Sequence, residues 1–330
     1  MTEPAFDIVA IGDAIVDVIA TCDDAFLKEH DLPKGSMQLL DPAAATRLYA
    51  AMGSAQETSG GSAANSMAGI AAMGGRAAFV GQIADDQLGN IFRHDMKALG
   101  VTFDTPALSK GHAQPTGRCL ILVTPDAQRT MNTCPGASHE LLPETISETL
   151  IASAAILYLE GYLWGPERPR QAMFRAIDIA RAAGREIAFT LSESVCIASR
   201  RDGFNQMIVD GGIDLLFANE DEILQLSGAP SLGSAMAALA SNVPTLVVTR
   251  GAKGALAFSG GEGVETTAIQ IDKVVDTTGA GDLFAAGFLA ARARGHELAK
   301  CLETGSIAAA EIISHFGARP ERDLKELVTL

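Results

Sequence analysis

Six short stretches of the chain are apolar at nearly every position: residues 6–11, 77–80, 155–159, 187–191, 215–218 and 245–249. A strand with one wet face alternates apolar and polar residues, so a run without alternation predicts a strand covered on both sides. Each run ends in glycine or polar residues, and the segments 87–99 and 168–183, the second closed by Gly184, predict helices between them. Strand and helix therefore alternate, which predicts an α/β fold on a mostly parallel sheet. The pattern breaks between 101 and 136. There 117–124 alternates, Pro125-Asp126 makes a turn and 129–133 returns, which predicts a hairpin with no helix. With the strand-like segments 15–20 and 36–40, the hairpin predicts a small second sheet.

Two further stretches are marked by their polar residues. Asp41-Pro42 opens a helix over 43–52. Residues 58–73, TSGGSAANSMAGIAAM, place two glycines and a serine before a helix of very small residues, with Asn65 in its first turns. Small side chains let backbone approach backbone, or a ligand approach backbone; a tight helix contact is the plain alternative.

Composition narrows the class. No repeat, low-complexity tract or linker divides the 330 residues, and 48% hydrophobic content suits one large domain over 1–330. Cys22, Cys119, Cys134, Cys196 and Cys301 are odd in number and far apart, which fits a reduced, cytoplasmic protein without a metal cluster. The first ten residues have no basic region, and no run approaches the roughly 18 apolar residues of a membrane span. A formal charge of −15 argues against nucleic acid or an anionic membrane as partner. It does not argue against a nucleotide, which a local array of amides can hold.

The candidate chemistry lies in 275–289, VDTTGAGDLFAAGFL. A glycine turn opening a buried helix aims unpaired N–H groups and the positive end of a helix dipole at one place, which receives anions. Asp282 does not belong in a plain anion site. A carboxylate beside such a cradle suits a general base for an attacking hydroxyl, the pairing that phosphoryl transfer needs. On residue type alone, a helix N-cap is an equal alternative. There is no Gly-x-x-x-x-Gly-Lys-Ser/Thr loop, no Gly-x-Gly-x-x-Gly after the first strand and no Gly-x-Ser-x-Gly elbow. P-loop kinases, dinucleotide-dependent dehydrogenases and α/β-hydrolases are thereby disfavoured.

The run from Asp276 to Asp282 resembles the second signature, Asp-Thr-x-Gly-Ala-Gly-Asp, of the PfkB (ribokinase-like) family of carbohydrate and nucleoside kinases. Gly60-Gly61, Asn65, Gly74-Gly75, Gly81 and Asp86-x-x-Gly89 resemble its first signature, with Ala84 where many sugar kinases have glycine. The resemblance implies a ribokinase-like three-layer α/β/α fold, with a small β lid built from about 13–21, 36–40 and 101–136. It puts Asp282 in the base role, and Gly279, Ala280 and Gly281 in an anion hole. Asn219 and Glu222 match an Asn-x-x-Glu motif linked to Mg²⁺ and phosphate, though the same residues would cap a helix. Thr249, Gly251 and Gly254 resemble a Thr-x-Gly-x-x-Gly nucleotide loop, and 308–320 the closing helix and loop near adenine. Asp276 and Thr278, with the backbone near Gly317, stand where relatives hold a monovalent cation such as K⁺.

Arg129 on the lid hairpin is a candidate cation for the transferring phosphoryl group, or else a solvent-facing strand residue. Gly61, Ser62 and Asn65, the early Asp13 and Asp17, and Glu160-Gly161-Tyr162 look most similar to the adenosine kinase branch. That carries Asp13, Asp17, Gly61, Ser62 and Asn65 to the acceptor's hydroxyls, although relatives often have Asn where Asp13 stands. Met37, Leu39, Leu120 and Leu122 on the lid strands would sandwich a purine or simply form lid core. The implied protein uses ATP and Mg²⁺ to phosphorylate a small-molecule nucleoside, adenosine first, as a monomer or homodimer. A ribose or fructose kinase, and a nucleoside-binding regulator without turnover, are the alternatives.

Overall fold

In the computed structural model, residues 3–126, 128–192, 194–210 and 212–330 are described; side chains 194–196 and 199 lie outside that set, Cys196 among them. The chain begins with β1 (Phe6–Ile11), β2 (Ile15–Thr21), α1 (Asp24–Glu29), β3 (Met37–Leu39), α2 (Pro42–Ala51) and β4 (Gln56–Gly60). Next come α3 (Ser62–Ala72), β5 (Ala77–Val80), α4 (Gln87–Ala98), β6 (Gly117–Val123), β7 (Arg129–Cys134), α5 (Glu148–Ala152) and β8 (Ala154–Glu160). Helix and strand then alternate through α6 (Glu167–Ala182), β9 (Glu186–Thr190), α7 (Ser194–Val209), β10 (Leu215–Asn219), α8 (Glu220–Ser227), α9 (Leu232–Leu239) and β11 (Thr245–Thr249). The remainder is β12 (Ala255–Ser259), β13 (Glu262–Thr266), α10 (Ala280–Ala293), α11 (Leu298–Ile312) and α12 (Leu324–Leu327).

The large sheet has the order β13-β12-β11-β10-β9-β8-β1-β5, parallel from β5 to β11. Its strands are apolar throughout because successive side chains enter different layers. Ile8, Ala10, Ile156, Tyr158, Leu215 and Phe217 face the core under α3, α10 and α11; Val9, Ile11, Leu157, Leu159, Leu216 and Ala218 face the core under α6 to α9. The fold is the three-layer α/β arrangement expected from the sequence. Strand order reverses at β1, so the C-terminal ends of β1 and β8 frame the crevice where such sheets bind ligands.

The second sheet has the order β3-β7-β6-β2-β4. It uses the predicted hairpin and segments, with two differences. β4, QETSG, is an edge strand too polar to announce itself in the sequence. Residues 101–116 hold no lid strand: Thr102 and Leu108 bridge Ala78 and Ala84, and buried Val101 and Phe103 keep this segment against the main core. The antiparallel hairpin β12–β13 was also not visible in the pattern; Gly260 and Gly261, at φ of 60° and 90°, close it. Cys22, Cys119, Cys134 and Cys301 are free thiols. Among the described residues no helix is long and apolar enough to cross a membrane.

Candidate functional site

Helix α10 begins behind Gly279, whose φ of 78° is left-handed and whose added Cβ would lie 2.8 Å from the Cβ of Ala318. Small residues bring three helices together here. A Cβ on Gly69 of α3 would meet Leu283, and one on Gly287 would meet the Thr304 carbonyl of α11. The Ala280 amide donates to the Thr277 carbonyl and the Leu283 amide to that of Gly279, which leaves the amides of Gly281 and Asp282 at the helix mouth. Gly281 faces open space: nothing lies within 4 Å of its Cβ position.

Asp282 does not cap its helix; Gly279 is the N-cap and no side chain serves it. The carboxylate is instead held by α3. Ser62 Oγ donates to Oδ1 at 2.6 Å and Asn65 Nδ2 to Oδ2 at 2.8 Å, while Ser66 Oγ donates to the Asp282 carbonyl at 2.9 Å. Burial pushes the Asp282 carboxyl above its usual range, and the bonds from Ser62 and Asn65, then the charge of Arg319, pull it back. A half-buried, firmly aimed carboxylate beside free helix amides can accept a proton while the amides hold an anion.

The ends of β1 and β8 meet at the sheet's switch point. Glu160, fully buried, accepts the Asp13 N–H at 2.6 Å and the Ala63 N–H at 2.7 Å, so it ties both strand ends to the start of α3. Burial, and then the neighbouring Asp13, push its carboxyl well above the usual value. Gly61 turns the chain from β4 into α3 at φ 93°, where an added Cβ would fall 2.2 Å from the Asp13 carbonyl. Asp13 is 6% exposed and its Oδ1 is buried without a partner. Its carboxyl is pushed up to about 7 by burial, against a hydrogen bond from Ser138.

The buried Asp13 carboxyl makes stability depend on pH. The folded form holds a proton there that the unfolded chain loses near pH 4, so this carboxylate costs stability progressively from about pH 4 to 7 and fully above. Asp13→Asn is expected to raise Tm by about 2–6 °C at pH 8 and to leave it unchanged near pH 4, read by calorimetry at both. An equal change at the two pH values would refute it.

The small sheet covers the crevice, and its register decides which side chains look down. Asp17 pairs with Thr58 on one side and Cys119 on the other, so these share a face with Ile15, Ile19, Ile121, Val123, Arg129 and Met131. The Asp17 carboxyl lies over Gly60, where a Cβ would be 2.5 Å from its Cγ. Burial pushes Asp17 up to about 6; Arg319 opposes this, Asp282 adds to it and Arg129 lowers it again. Met37 and Leu39 share this face, but Leu120 and Leu122 sit on the opposite one, sealed in the core. The expected sandwich of all four is therefore not formed.

Arg129 does reach down from the lid. It pairs with Asp276 at 2.7 Å, donates to Thr278 Oγ1 at 3.3 Å and lies over the Phe316 ring. Asp276 also accepts from Thr278 N and Oγ1, at 3.1 and 2.8 Å, and from the Gly317 amide at 3.0 Å. With Arg129 seated here, a monovalent cation at Asp276 and Thr278 would share the carboxylate with a guanidinium.

A second group lies along the same sheet edge. Asn219 ends β10 and forms a reciprocal capping box with Glu222: its Oδ1 accepts the Glu222 N–H at 2.8 Å and Glu222 Oε2 accepts the Asn219 N–H at 2.9 Å. The capping alternative is thus realised in the structure. Thr249 ends β11, and Gly251 and Gly254 follow at φ 57° and 89°. A Cβ on Gly254 would fall 2.0 Å from the Thr266 carbonyl. Among the described residues no three His, Cys, Asp or Glu side chains are placed to hold a metal ion.

Two residues of the site were not found by sequence reasoning in these roles. Glu160 entered only as part of a similarity. Arg319 entered only inside the segment 308–320, with no role of its own, because a lone arginine in a closing loop carries no local signal; in the structure it donates to Asn65 Oδ1, to the Ser59 carbonyl at 2.6 Å and to Ser59 Oγ at 3.1 Å.

Comparison with known proteins fits this geometry. Residues 5–324 match the pfkB family carbohydrate kinases. The structure of an adenosine kinase from Sinorhizobium meliloti is 45% identical, covers 98% of both chains and superposes with a TM-score of 0.90. That of a probable sugar kinase protein from Rhizobium etli CFN 42 is 42% identical, with the same coverage and the same TM-score. A 5-dehydro-2-deoxygluconokinase from Shouchella clausii (strain KSM-K16) is 27% identical over 98% of this chain and 95% of its own. The chain belongs to the pfkB family and is a sugar or nucleoside kinase, a phosphotransferase acting on a hydroxyl group.

Proposed function

We propose that the chain transfers the terminal phosphoryl group of ATP to the 5′-hydroxyl of a purine nucleoside, adenosine in particular. The observation that carries this reading is Asp282, aimed by Ser62 and Asn65 at the mouth of α10 and roofed by the lid face that bears Asp17. Asp282 takes the proton from the attacking hydroxyl, and the amides at the turn of Gly279, Ala280 and Gly281 hold the phosphoryl oxygens. Ala280 contributes least, since its amide already faces Thr277. Asp13, whose buried Oδ1 lacks a donor, and Asp17 accept from the acceptor's other hydroxyls, with Gly61 and Asn65 shaping that pocket. Arg129 neutralises charge on the group in transit by exchanging Asp276 for phosphate.

Family membership implies ATP, and typically Mg²⁺. Mg²⁺ supplies positive charge to the phosphate oxygens when bound, keeping much of its water. Glu222 suits contact through that water, because the cap fixes its carboxylate at the strand end. Thr249, Gly251 and Gly254 form the turn along which the nucleotide lies.

The lid favours a nucleoside over a free sugar. Its inner face offers a single carboxylate, Asp17, with Thr58, Thr133 and Arg129, among the mostly apolar Ile15, Ile19, Cys119, Ile121, Val123 and Met131. A hexose dressed in hydroxyls would leave donors unpaired against such a roof, whereas a purine ring is at home there. ADP release measured with adenosine, inosine, ribose and fructose is expected to give a kcat/KM for adenosine at least ~100-fold above either sugar. Equal or faster turnover of a sugar would make the sugar kinase reading the right one.

A further inference from the structure

We propose that Arg319 is a positioning residue for the transfer: it aims Asp282 through Asn65 and supplies the positive charge shared by Asp17, Asp95 and Asp282. This rests on the reading of Asp282 as the base.

The aiming follows from the amide of Asn65. An Asn side chain has an acceptor end and a donor end. The guanidinium claims Oδ1, so Nδ2 is turned to Asp282 Oδ2 at 2.8 Å. Flipping the amide would set two donors against each other and leave Asp282 without one of its bonds. The same guanidinium forks to the carbonyl and hydroxyl of Ser59, whose amide donates to Asp95 Oδ2 at 2.9 Å. The C-terminal loop, β4 and α4 are thereby locked to the base.

The same guanidinium sets the charge around the base. The ionisable groups facing Asp282 are Asp17 from the lid, Glu160 and Tyr158 from β8, and Arg319. Arg319 is the cation of this set and interacts with Asp17, then Asp282, then Asp95. Without it, Asp282 loses the cation that opposes its burial and Asp17 keeps only Arg129, so both carboxyls ionise less readily. A purely structural Arg319 would tie down the loop and nothing more.

The two roles separate in Arg319→Met and Arg319→Lys, made in the full chain with ¹³C-labelled aspartate and the Asp282 carboxyl signal assigned through Asp282→Asn. In Arg319→Met the Asp282 titration and the acid limb of the kcat–pH profile are expected to move together to higher pH by about one unit or more. At pH 7, kcat should fall about 10–100-fold while KM for ATP changes less than about threefold. Arg319→Lys should keep the titration within about half a unit of wild type yet recover only part of kcat, since an ammonium keeps the charge and lacks the fork. If Arg319→Met does not fold, as judged by circular dichroism, Arg319→Gln gives the same comparison. An Asp282 titration that coincides with wild type in the uncharged variant overturns the proposal, whatever happens to Tm. A wild-type chain that phosphorylates none of the four acceptors would sink the functional reading instead, and the titration would still judge Arg319.

Discussion

Asp282→Asn is expected to lower kcat by about 10³-fold or more, with KM for the acceptor and Tm close to wild type. The substitution is isosteric, and the partners tolerate it. Ser62 Oγ, which donates to Oδ1, can rotate and accept from an amide, while Asn65 Nδ2 can still donate to the remaining oxygen. What is lost is basicity. An amide cannot take the proton from an attacking hydroxyl, and among the described residues no other carboxylate is so placed: Asp17 belongs to the lid, and Glu160 is committed to two backbone amides. Because burial holds the Asp282 carboxyl above its ordinary value, wild-type kcat should also rise with pH as the base ionises, a limb the Asn variant lacks. Steady-state ADP release across pH measures both. Turnover of the variant within tenfold of wild type would remove Asp282 from the base role.

Gly61→Ala is expected to cost about 3 kcal/mol or more and to abolish measurable acceptor turnover. Gly61 sits at φ 93° and ψ 139°, a region that side chains avoid, and its Cβ would lie 2.2 Å from the Asp13 carbonyl. Neither β1 nor α3 can yield cheaply. Glu160 ties the two together through the amides of Asp13 and Ala63, and α3 is pinned to α10 through Ser62, Asn65 and Ser66. Relief of the clash therefore displaces the side chains that aim Asp282. Gly233 in α9 provides the control. It has ordinary backbone and open space around its Cβ position, so Gly233→Ala should be neutral or stabilising by up to about 1 kcal/mol. Thermal melts of the pair decide the point, and similar Tm values would show that the turn at Gly61 has no steric demand.

The chain by itself determined much of this. Apolar runs without alternation read as strands buried on both faces, because that property is written in neighbouring residues. The turn of Gly279 to Gly281 with Asp282, the glycines before α3 and the lid hairpin were legible for the same reason: each is a local pattern with a local physical cause. The polar edge strand β4 and the β12–β13 hairpin were not, since hydrogen bonding to a neighbouring strand, and no apolar periodicity, makes them strands.

Tertiary structure alone decided how the pieces meet. Lid register sends Asp17, Cys119 and Ile121 toward the crevice and Leu120 and Leu122 away from it, a parity invisible until the strands pair. Asp282 is a held carboxylate and no cap because α3, some 220 residues earlier, supplies its donors. Asn219 and Glu222 cap each other, Arg129 settles on Asp276, and Arg319 reaches Asn65 across 254 residues of sequence. Such contacts depend on distance in space, which no local reading of the chain contains.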